Sequence, residues 1–193
     1  MIDTGTERIY TRFDDILASG RRYGTIYADP PWRYHNRASR GAADKHYPTM
    51  TVDEICALPI GGIAATGAHL YLWVTNAFLF NVPKIMRAWG FEYRPHIFAW
   101  CKPQMGVGNY WRVSHELCVF GSRPGADPLR DHRIGGWGVF PRGRHSEKPE
   151  QVREFIEAAS PGPRIELFAR NPAPGWSCWG NQIESNLFRA VPA

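Results

Sequence analysis

Apolar and polar positions alternate in blocks along this chain, and the blocks predict a succession of strands and helices. Short runs rich in β-branched and aromatic residues, bounded by Pro, Gly or charged residues, are typical of buried strands. The predicted strands cover residues 25–28, 68–74, 91–101, 116–121, 164–169 and 176–180, and the predicted helices cover residues 13–17, 51–58, 78–89 and 146–159. This alternation predicts an α/β fold with a mostly parallel sheet, and we expect residues 1–193 to form one domain.

Helix boundaries are marked by capping residues and prolines. Thr51 and Glu54 have the spacing of a capping box and predict the start of the second helix. Pro83 is compatible with the first turn of the third helix, where its missing amide hydrogen is not needed. Ser146 is predicted to cap the fourth helix, with Pro149 in the first turn.

The first predicted strand runs directly into Asp29-Pro30-Pro31-Trp32. Because Pro30 has no amide hydrogen and favours an extended Asp29, the strand must end there. The carboxyl ends of strands in open α/β sheets are where ligands bind. A carboxylate, a stiff turn with fixed carbonyls and a flat aromatic face could together hold a planar base by its amino group. The alternative is a simple turn in which Trp32 covers an edge of the core.

Charge and composition narrow the class of protein. The net charge of +5 and pI of about 9.2 mildly favour a polyanionic partner, and eight Trp residues indicate stacking surfaces as well as core filling. The four cysteines lack metal-ligand spacing, so we expect reduced thiols and no metal site. The polar N-terminus and the short apolar run at residues 70–82 predict neither a signal peptide nor a membrane span. A cytoplasmic protein is expected.

Three segments without periodicity are rich in cations or aromatic residues. Residues 32–48 contain Arg33, Arg37 and Arg40 and follow the proposed site, so they are either a phosphate-contacting loop or a solvated basic loop. Residues 106–112 form a Gly-rich, aromatic loop. Residues 123–144 interleave arginines with aromatic residues, which suits a nucleic-acid groove, although a mobile surface loop fits nearly as well.

A second strand end also carries polar residues. Arg170-Asn171 follows the strand at residues 164–169, and Asn181-Gln182 lies shortly downstream. Lys148, at the start of the preceding helix, would place a cation near the same crevice. No Gly-rich dinucleotide or P-loop motif and no nucleophile-elbow motif is present.

These features match a known family. The chain resembles the DPPW-type adenine-N6 methyltransferases, which include the messenger-RNA adenine methylators of eukaryotes and many bacterial and phage DNA enzymes. The matching blocks stand in family order between about residues 23 and 186. They are residues 27–32, Tyr47 with Thr49-Met50, residues 70–76, residues 89–91, Trp100 with Lys102, His115-Glu116, residues 145–149, residues 166–170, and residues 175–176 with 179–182.

The resemblance implies a Rossmann-like sheet with helices on both faces, in which the catalytic block precedes the cofactor block. It implies S-adenosylmethionine as methyl donor. Lys148 would bind its carboxylate, Arg170 and Asn171 its ribose, and Asn181 with Gln182 its adenosine end. Asp29 would lie between donor and acceptor. The implied nucleic-acid residues are Trp32, Tyr47, Trp73, Trp100, Lys102, Glu116, Arg33, Arg37 and Arg40.

The leading hypothesis is adenine-N6 methylation of DNA in a bacterial or phage-infected cell. Asp29 and the Pro30 carbonyl would accept hydrogen bonds from the adenine amine, with Pro31 and Trp32 completing the catalytic motif. The same reaction on RNA and a catalytically silent nucleic-acid-binding subunit are the alternatives. Methylation of cytosine N4 or of a protein amide is less favoured, because those enzymes more often carry Ser or Asn in place of Asp29. The family often pairs subunits, which makes a homodimer or a methyltransferase-like partner plausible.

Overall fold

The structure, a computed structural model, describes residues 7–34, 48–106, 110–143 and 147–180. Within these segments the strands are β1 (Ile9–Tyr10), β2 (Tyr23–Ala28), β3 (Ala64–Val74), β4 (Glu92–Cys101), β5 (His115–Ser122), β6 (Trp137–Val139), β7 (Arg164–Leu167) and β8 (Trp176–Trp179). The α-helices are α1 (Phe13–Ala18), α2 (Val52–Cys56), α3 (Val82–Ala88) and α4 (Glu150–Ala159). The predicted cap Ser146 and the predicted site residues Arg37, Arg40, Tyr47, Asn181 and Gln182 lie outside the described residues.

All these strands form one sheet in the order β1-β8-β7-β2-β3-β5-β4-β6. The pairs are parallel except β3 with β5 and β5 with β4, because β5 runs against its neighbours. The predicted mostly parallel α/β sheet is confirmed. The central strand β2 lies between β7 and β3. Strands β3 to β6 lie on one side of β2, whereas β7 and β8 lie on its other side. This position in an open α/β sheet is where a ligand crevice forms.

Helices cover both faces of the sheet, as the resemblance implied. Ile26 of β2 faces a cluster built with α1, α2 and α3, whereas its neighbour Tyr27 faces a second cluster built with α4. The alternation follows from the period of two in a strand, which sends successive side chains to opposite faces. Every residue of β2 is buried. A strand buried on both faces explains the continuous apolar run in the sequence.

Several predicted boundaries hold and others need correction. The capping box of Thr51 and Glu54 is present, although α2 ends at Cys56 rather than at residue 58. The predicted helix at residues 78–89 is wrong in its first part, where a 3-10 helix, Asn76–Asn81, precedes α3. Pro83 lies in the first turn of α3 as predicted, and its missing amide hydrogen prevents one α-helix from running through both segments.

The remaining differences concern short elements. Pro149 is the N-cap of α4 rather than a residue of its first turn. The segment 123–144, predicted to be irregular, contains β6, which pairs with the last three residues of β4. Strand β1 was not predicted because two residues carry no periodic signal, and only its pairing with β8 defines it. None of the helices in the described segments has the length and apolarity needed to cross a membrane.

Candidate active site

Polar residues collect at one edge of the sheet because of the strand directions. The parallel strands β2, β3, β7 and β8 all end there, and β5 begins there, since Val74 at the end of β3 lies opposite Leu117. Strand β4 ends at the same edge, where Cys101 lies opposite His115. The residues that follow β2, β4 and β7, together with the start of β5, therefore share one crevice.

A chain of alternating charges runs through this crevice. The Lys148 Nζ atom lies 2.6 Å from Asp29 Oδ2 and 3.2 Å from Glu116 Oε2. Glu116 also accepts a hydrogen bond from Lys102 through its other carboxylate oxygen. The side chains are largely shielded, with exposed fractions of 25% for Asp29 and 13% for Lys148. The negative charges of two carboxylates are therefore balanced by the positive charges of two ammonium groups in a largely shielded site.

The turn after β2 is fixed by backbone hydrogen bonds. The Met50 amide donates to the Pro31 carbonyl at 2.7 Å, and the Arg33 amide donates to the Met50 carbonyl at 2.9 Å. These bonds form a bridge between Trp32 and Met50, which closes the loop that begins after the turn. The predicted end of the strand at Asp29-Pro30 is confirmed. The Asp29 carboxylate is held at a defined place because the backbone on both sides of Asp29 is fixed.

The electrostatics of the site depend on burial and on neighbouring charges. Burial raises the pKa of Asp29 above its ordinary value, despite the nearby Lys148, and the negative charge of Glu116 adds to the increase. Burial also opposes ionisation of Glu116, but the Lys148 and Lys102 charges outweigh it and lower the pKa of Glu116. Burial disfavours the Lys148 ammonium as well, yet the Asp29 and Glu116 carboxylates raise its pKa. Lys148 is therefore a permanent cation between two carboxylates.

Three of the aromatic residues predicted to flank a base, namely Trp32, Trp73 and Trp100, are buried in this structure. Trp32 stacks on Phe78 with ring centroids 4.8 Å apart, and Trp73 donates its indole hydrogen to the Tyr27 hydroxyl at 2.6 Å. Trp100 donates to a backbone carbonyl and is only 2% exposed. Trp73 and Trp100 therefore have no free face for a base, which corrects that expectation. They support the lysines instead, because Lys148 lies 5.3 Å from the Trp73 ring and Lys102 4.4 Å from the Trp100 ring.

Arg33 braces the turn and still presents part of its charge to solvent, with 41% of its side chain exposed. Its guanidinium donates to the side chain and the carbonyl of Thr49, at 3.3 and 2.5 Å. It also lies 3.5 Å from the carboxylate of Glu54. A phosphate contact at Arg33 stays a prediction, because its side chain is partly exposed as well as hydrogen-bonded to Thr49. The sequence did not reveal the contacts of Arg33 with Thr49 and Glu54, since these residues are distant from Arg33 along the chain.

Of the second group of predicted residues, Arg170 and Asn171 follow β7, which pairs with β2, so they lie at the same edge of the sheet as Asp29. Burial raises the pKa of Asp29, and the positive charge of Arg170 partly opposes this increase. Asn171 is exposed at the next position. Phe168 has a φ of 63°, an uncommon conformation for a bulky residue. Such strained backbone concentrates at functional sites, and no pattern in the sequence predicted it.

Close packing fixes the backbone where the two strands end. The Ala169 amide donates to the Trp179 carbonyl at 2.9 Å. A Cβ atom on Gly180 would lie 2.0 Å from the Ala169 carbonyl oxygen, so only glycine fits there. The predicted residues Asn181 and Gln182 follow directly but lie outside the described residues.

The residues present fit S-adenosylmethionine. Lys148 and Arg170 are cations that would suit the donor's carboxylate and hydroxyl groups, and the Asp29 carboxylate would suit its positively charged sulfonium. Together, the sheet topology and this charge arrangement define a Rossmann-like, S-adenosylmethionine-dependent methyltransferase.

Comparison with known proteins identifies the family. The MT-A70 family model matches residues 23–182, and the chain belongs to the MT-A70 family of adenine-N6 methyltransferases. The chain is 31% identical over 186 residues to the Type II methyltransferase M.MunI of Mycoplasma sp, covering 86% of this chain and 80% of that protein. It is 29% identical over 184 residues to the human N(6)-adenosine-methyltransferase catalytic subunit METTL3, covering 90% of this chain but 30% of that protein. The fungal N6-methyladenosine RNA methyltransferase MTA1 of Pyricularia oryzae is 29% identical over 191 residues, which is 87% of this chain and 49% of that protein.

Proposed function

We propose that this protein transfers the methyl group of S-adenosylmethionine to the N6 amine of adenine in DNA. The observation that carries the proposal is the shielded pairing of Asp29 with Lys148 at the end of the central strand. It places a carboxylate beside the cation proposed to bind the donor. The same reaction on RNA is the second candidate, because relatives named as RNA or adenosine methyltransferases match nearly the whole chain.

The chemistry follows from the weak nucleophilicity of the adenine amine, whose lone pair is delocalised into the ring. S-adenosylmethionine, when bound, supplies an electrophilic methyl group on a sulfonium. In this proposal, the Asp29 carboxylate and the Pro30 carbonyl accept hydrogen bonds from the two amine hydrogens. These bonds would favour tetrahedral geometry at the nitrogen and free its lone pair for in-line attack on the methyl carbon. The new N–C bond would form as the methyl–sulfur bond breaks, S-adenosylhomocysteine would leave, and the nitrogen would pass its extra proton to the Asp29 carboxylate. Fixed acceptors of this kind act by positioning and electrostatic preorganisation.

Lys148 and Glu116 have separate tasks in this proposal. Lys148 binds the donor's carboxylate, and Glu116 together with Asp29 fixes the position of the Lys148 ammonium group. Lys102 holds Glu116 from the other side. These contacts connect Glu116 on β5 to Lys148 and, through Lys148, to Asp29. The proposed donor and acceptor sites are therefore held by the same set of residues.

The choice of DNA rests on the relative with similar length. The chain covers 80% of M.MunI, a Type II methyltransferase, but less than a third of human METTL3. The net charge of +5 suits either nucleic acid. From the similarity to M.MunI we propose that the protein acts in the cytoplasm of a bacterium or of a phage-infected cell. A homodimer or a partner subunit stays a prediction that light scattering can test.

The test is transfer of radiolabelled methyl from S-adenosylmethionine to matched duplex DNA, single-stranded DNA and RNA, followed by nucleoside analysis. We expect N6-methyladenine, with DNA preferred over RNA. A preference for RNA would contradict the choice of polymer but retain the chemistry. Binding of S-adenosylmethionine without transfer to any polymer would instead support the silent-subunit alternative, which the retained Asp29–Lys148 pair disfavours.

The pH dependence of methyl transfer should report the Asp29 carboxylate. The ionised carboxylate is the stronger hydrogen-bond acceptor, so the rate should fall as the pH drops through the pKa of Asp29, which burial raises. Glu116→Gln removes a neighbouring negative charge and should lower that pKa. The acidic limb of the kcat profile should therefore move to lower pH.

The matched control is Glu92→Gln, which changes an exposed glutamate at the opposite end of the sheet, beside Arg94. Its pH profile should equal that of the unmodified protein. An unchanged acidic limb in Glu116→Gln would show that Asp29 does not control the profile.

A further inference from the structure

The hairpin between β4 and β5 presents two aromatic rings to solvent. Tyr110 is 95% exposed and Trp111 is 97% exposed. The hairpin continues beyond the sheet as a ladder, because the Lys102 amide donates to the Ser114 carbonyl and the Gly106 amide donates to the Val113 carbonyl. Trp is usually buried over much of its surface, so two adjacent, almost fully exposed aromatic residues indicate a surface that contacts a partner.

The position of this hairpin links it to the candidate active site. It leaves the sheet at the edge that carries Asp29, since β4 ends and β5 begins there. Its two sides carry Lys102 and Glu116, which belong to the charge chain around Lys148. A molecule whose reacting group lies at Asp29 is therefore next to the hairpin.

Nearby exposed residues indicate the chemistry of the partner. Strand β6 pairs with the end of β4 and exposes Trp137, which is 67% exposed. Arg112, next to Trp111, and Arg142, shortly after β6, are also exposed. Cations interleaved with aromatic rings suit a nucleic acid, because phosphates contact the cations and bases stack on the rings.

We propose that Tyr110 and Trp111 stack on the bases beside the target adenine and hold the duplex open when that adenine leaves the helix. The inference rests on the proposed function and names a part of its substrate site. A base inside a duplex cannot reach Asp29, so it must be rotated out, which breaks stacking with its neighbours. Stacking of the exposed neighbours on aromatic side chains replaces part of that loss. A single strand has no such cost, so the rings matter most on duplex DNA.

The experiment compares initial methylation rates on the same plasmid DNA in native and heat-denatured form, which requires no knowledge of the target sequence. The variant is Tyr110→Ala/Trp111→Ala. We expect its kcat/KM to fall about 5- to 150-fold on native DNA, the range that base-stacking free energies imply. On denatured DNA the loss should be smaller. Thermal stability and S-adenosylmethionine affinity should be unchanged, because neither ring packs into the core.

The control is Tyr93→Ala, which removes a half-exposed tyrosine at the other end of β4, opposite Gly121. It should leave the ratio of native to denatured rates unchanged. An unchanged ratio in the double variant, or an equal loss on both forms, would overturn the inference while leaving the proposed function intact. A variant that loses a dimer in light scattering, with unaltered DNA kinetics, would also overturn it, since the rings would then contact a second copy.

Failure of the proposed function gives a different result. The unmodified protein would then form no N6-methyladenine on either form of the DNA. Binding of native and denatured DNA, followed by fluorescence anisotropy, still tests the hairpin in that case. Weaker binding of native DNA by the double variant alone would support the contact, and equal binding by both proteins would overturn it.

Discussion

Replacement of Asp29 by Ala should remove nearly all methyl transfer while S-adenosylmethionine still binds. The carboxylate is proposed to accept a hydrogen bond from the adenine amine in the transition state. Its loss should therefore lower kcat by about 10²- to 10³-fold, the size typical of one preorganised hydrogen-bonding group. Lys148 keeps Glu116 as a partner at 3.2 Å and so remains in place. The affinity for the donor should therefore change by less than about tenfold, or 1.4 kcal/mol.

The measurement is single-turnover transfer together with calorimetric titration of the donor. Asp29→Asn keeps the shape but loses the charge, and it should be nearly as inactive as Asp29→Ala. The control is Asp53→Asn, an exposed aspartate that lies 2.6 Å from the Lys84 ammonium and outside the crevice. Turnover by Asp29→Ala at more than a tenth of the control rate would exclude the proposed role.

Replacement of Lys148 by Met should affect both cofactor binding and stability. It leaves the Asp29 carboxylate shielded from water without its cation, and loss of one partner of such a pair costs about 3–5 kcal/mol. The affinity for S-adenosylmethionine should fall at least about tenfold, because the cation proposed to bind the donor's carboxylate is lost. The two effects have separate measurements, namely urea unfolding and calorimetric titration.

The stability loss has a defined pH dependence. Without Lys148, the pKa of Asp29 in the folded protein rises further above its unfolded value. A carboxyl group with a raised folded pKa destabilises the fold when ionised, so the loss should be largest at neutral pH. It should shrink as the pH falls through the folded pKa of Asp29.

A second substitution separates the two roles of Lys148. Lys148→Met/Glu116→Gln removes one of the carboxylates left by the single change and should recover part of the stability. It should not recover donor affinity, because no cation returns. Lys84→Met is the control for loss of an exposed lysine, and it should leave stability nearly unchanged, because an exposed ion pair contributes little. Full donor affinity in Lys148→Met would contradict the proposed cofactor role.

The sequence predicted the local features of this fold because they depend on neighbouring residues. The buried run before Asp29, the stop at Pro30 and the capping box of α2 are all written in adjacent positions. The reversed direction of β5 was not predicted, since it depends on which strands pair across the sheet. The short strand β6 was not predicted for the same reason, because its three residues become a strand only by pairing with the end of β4.

The candidate site was predicted in its residue types but less well in its contacts. The resemblance identified Lys148, Lys102 and Glu116, yet their mutual pairing emerges only when β5 lies between β3 and β4. It also indicated Trp73 and Trp100 as base-stacking residues, whereas both rings are buried beneath the lysines. Sequence blocks report which residues a family shares, and they do not report which side of a strand faces solvent.

The order of the strands has a consequence for how this protein is made. The central strand β2 leaves the ribosome well before its neighbour β7, because about 135 residues separate them. Until β7 arrives, one edge of β2 is open and Asp29 lacks Lys148. Synthesis from the N-terminus therefore yields a half-built sheet with an unpaired hydrogen-bonding edge at its future centre. The Asp29 carboxylate gains its partner Lys148 only after 119 further residues have been added to the chain.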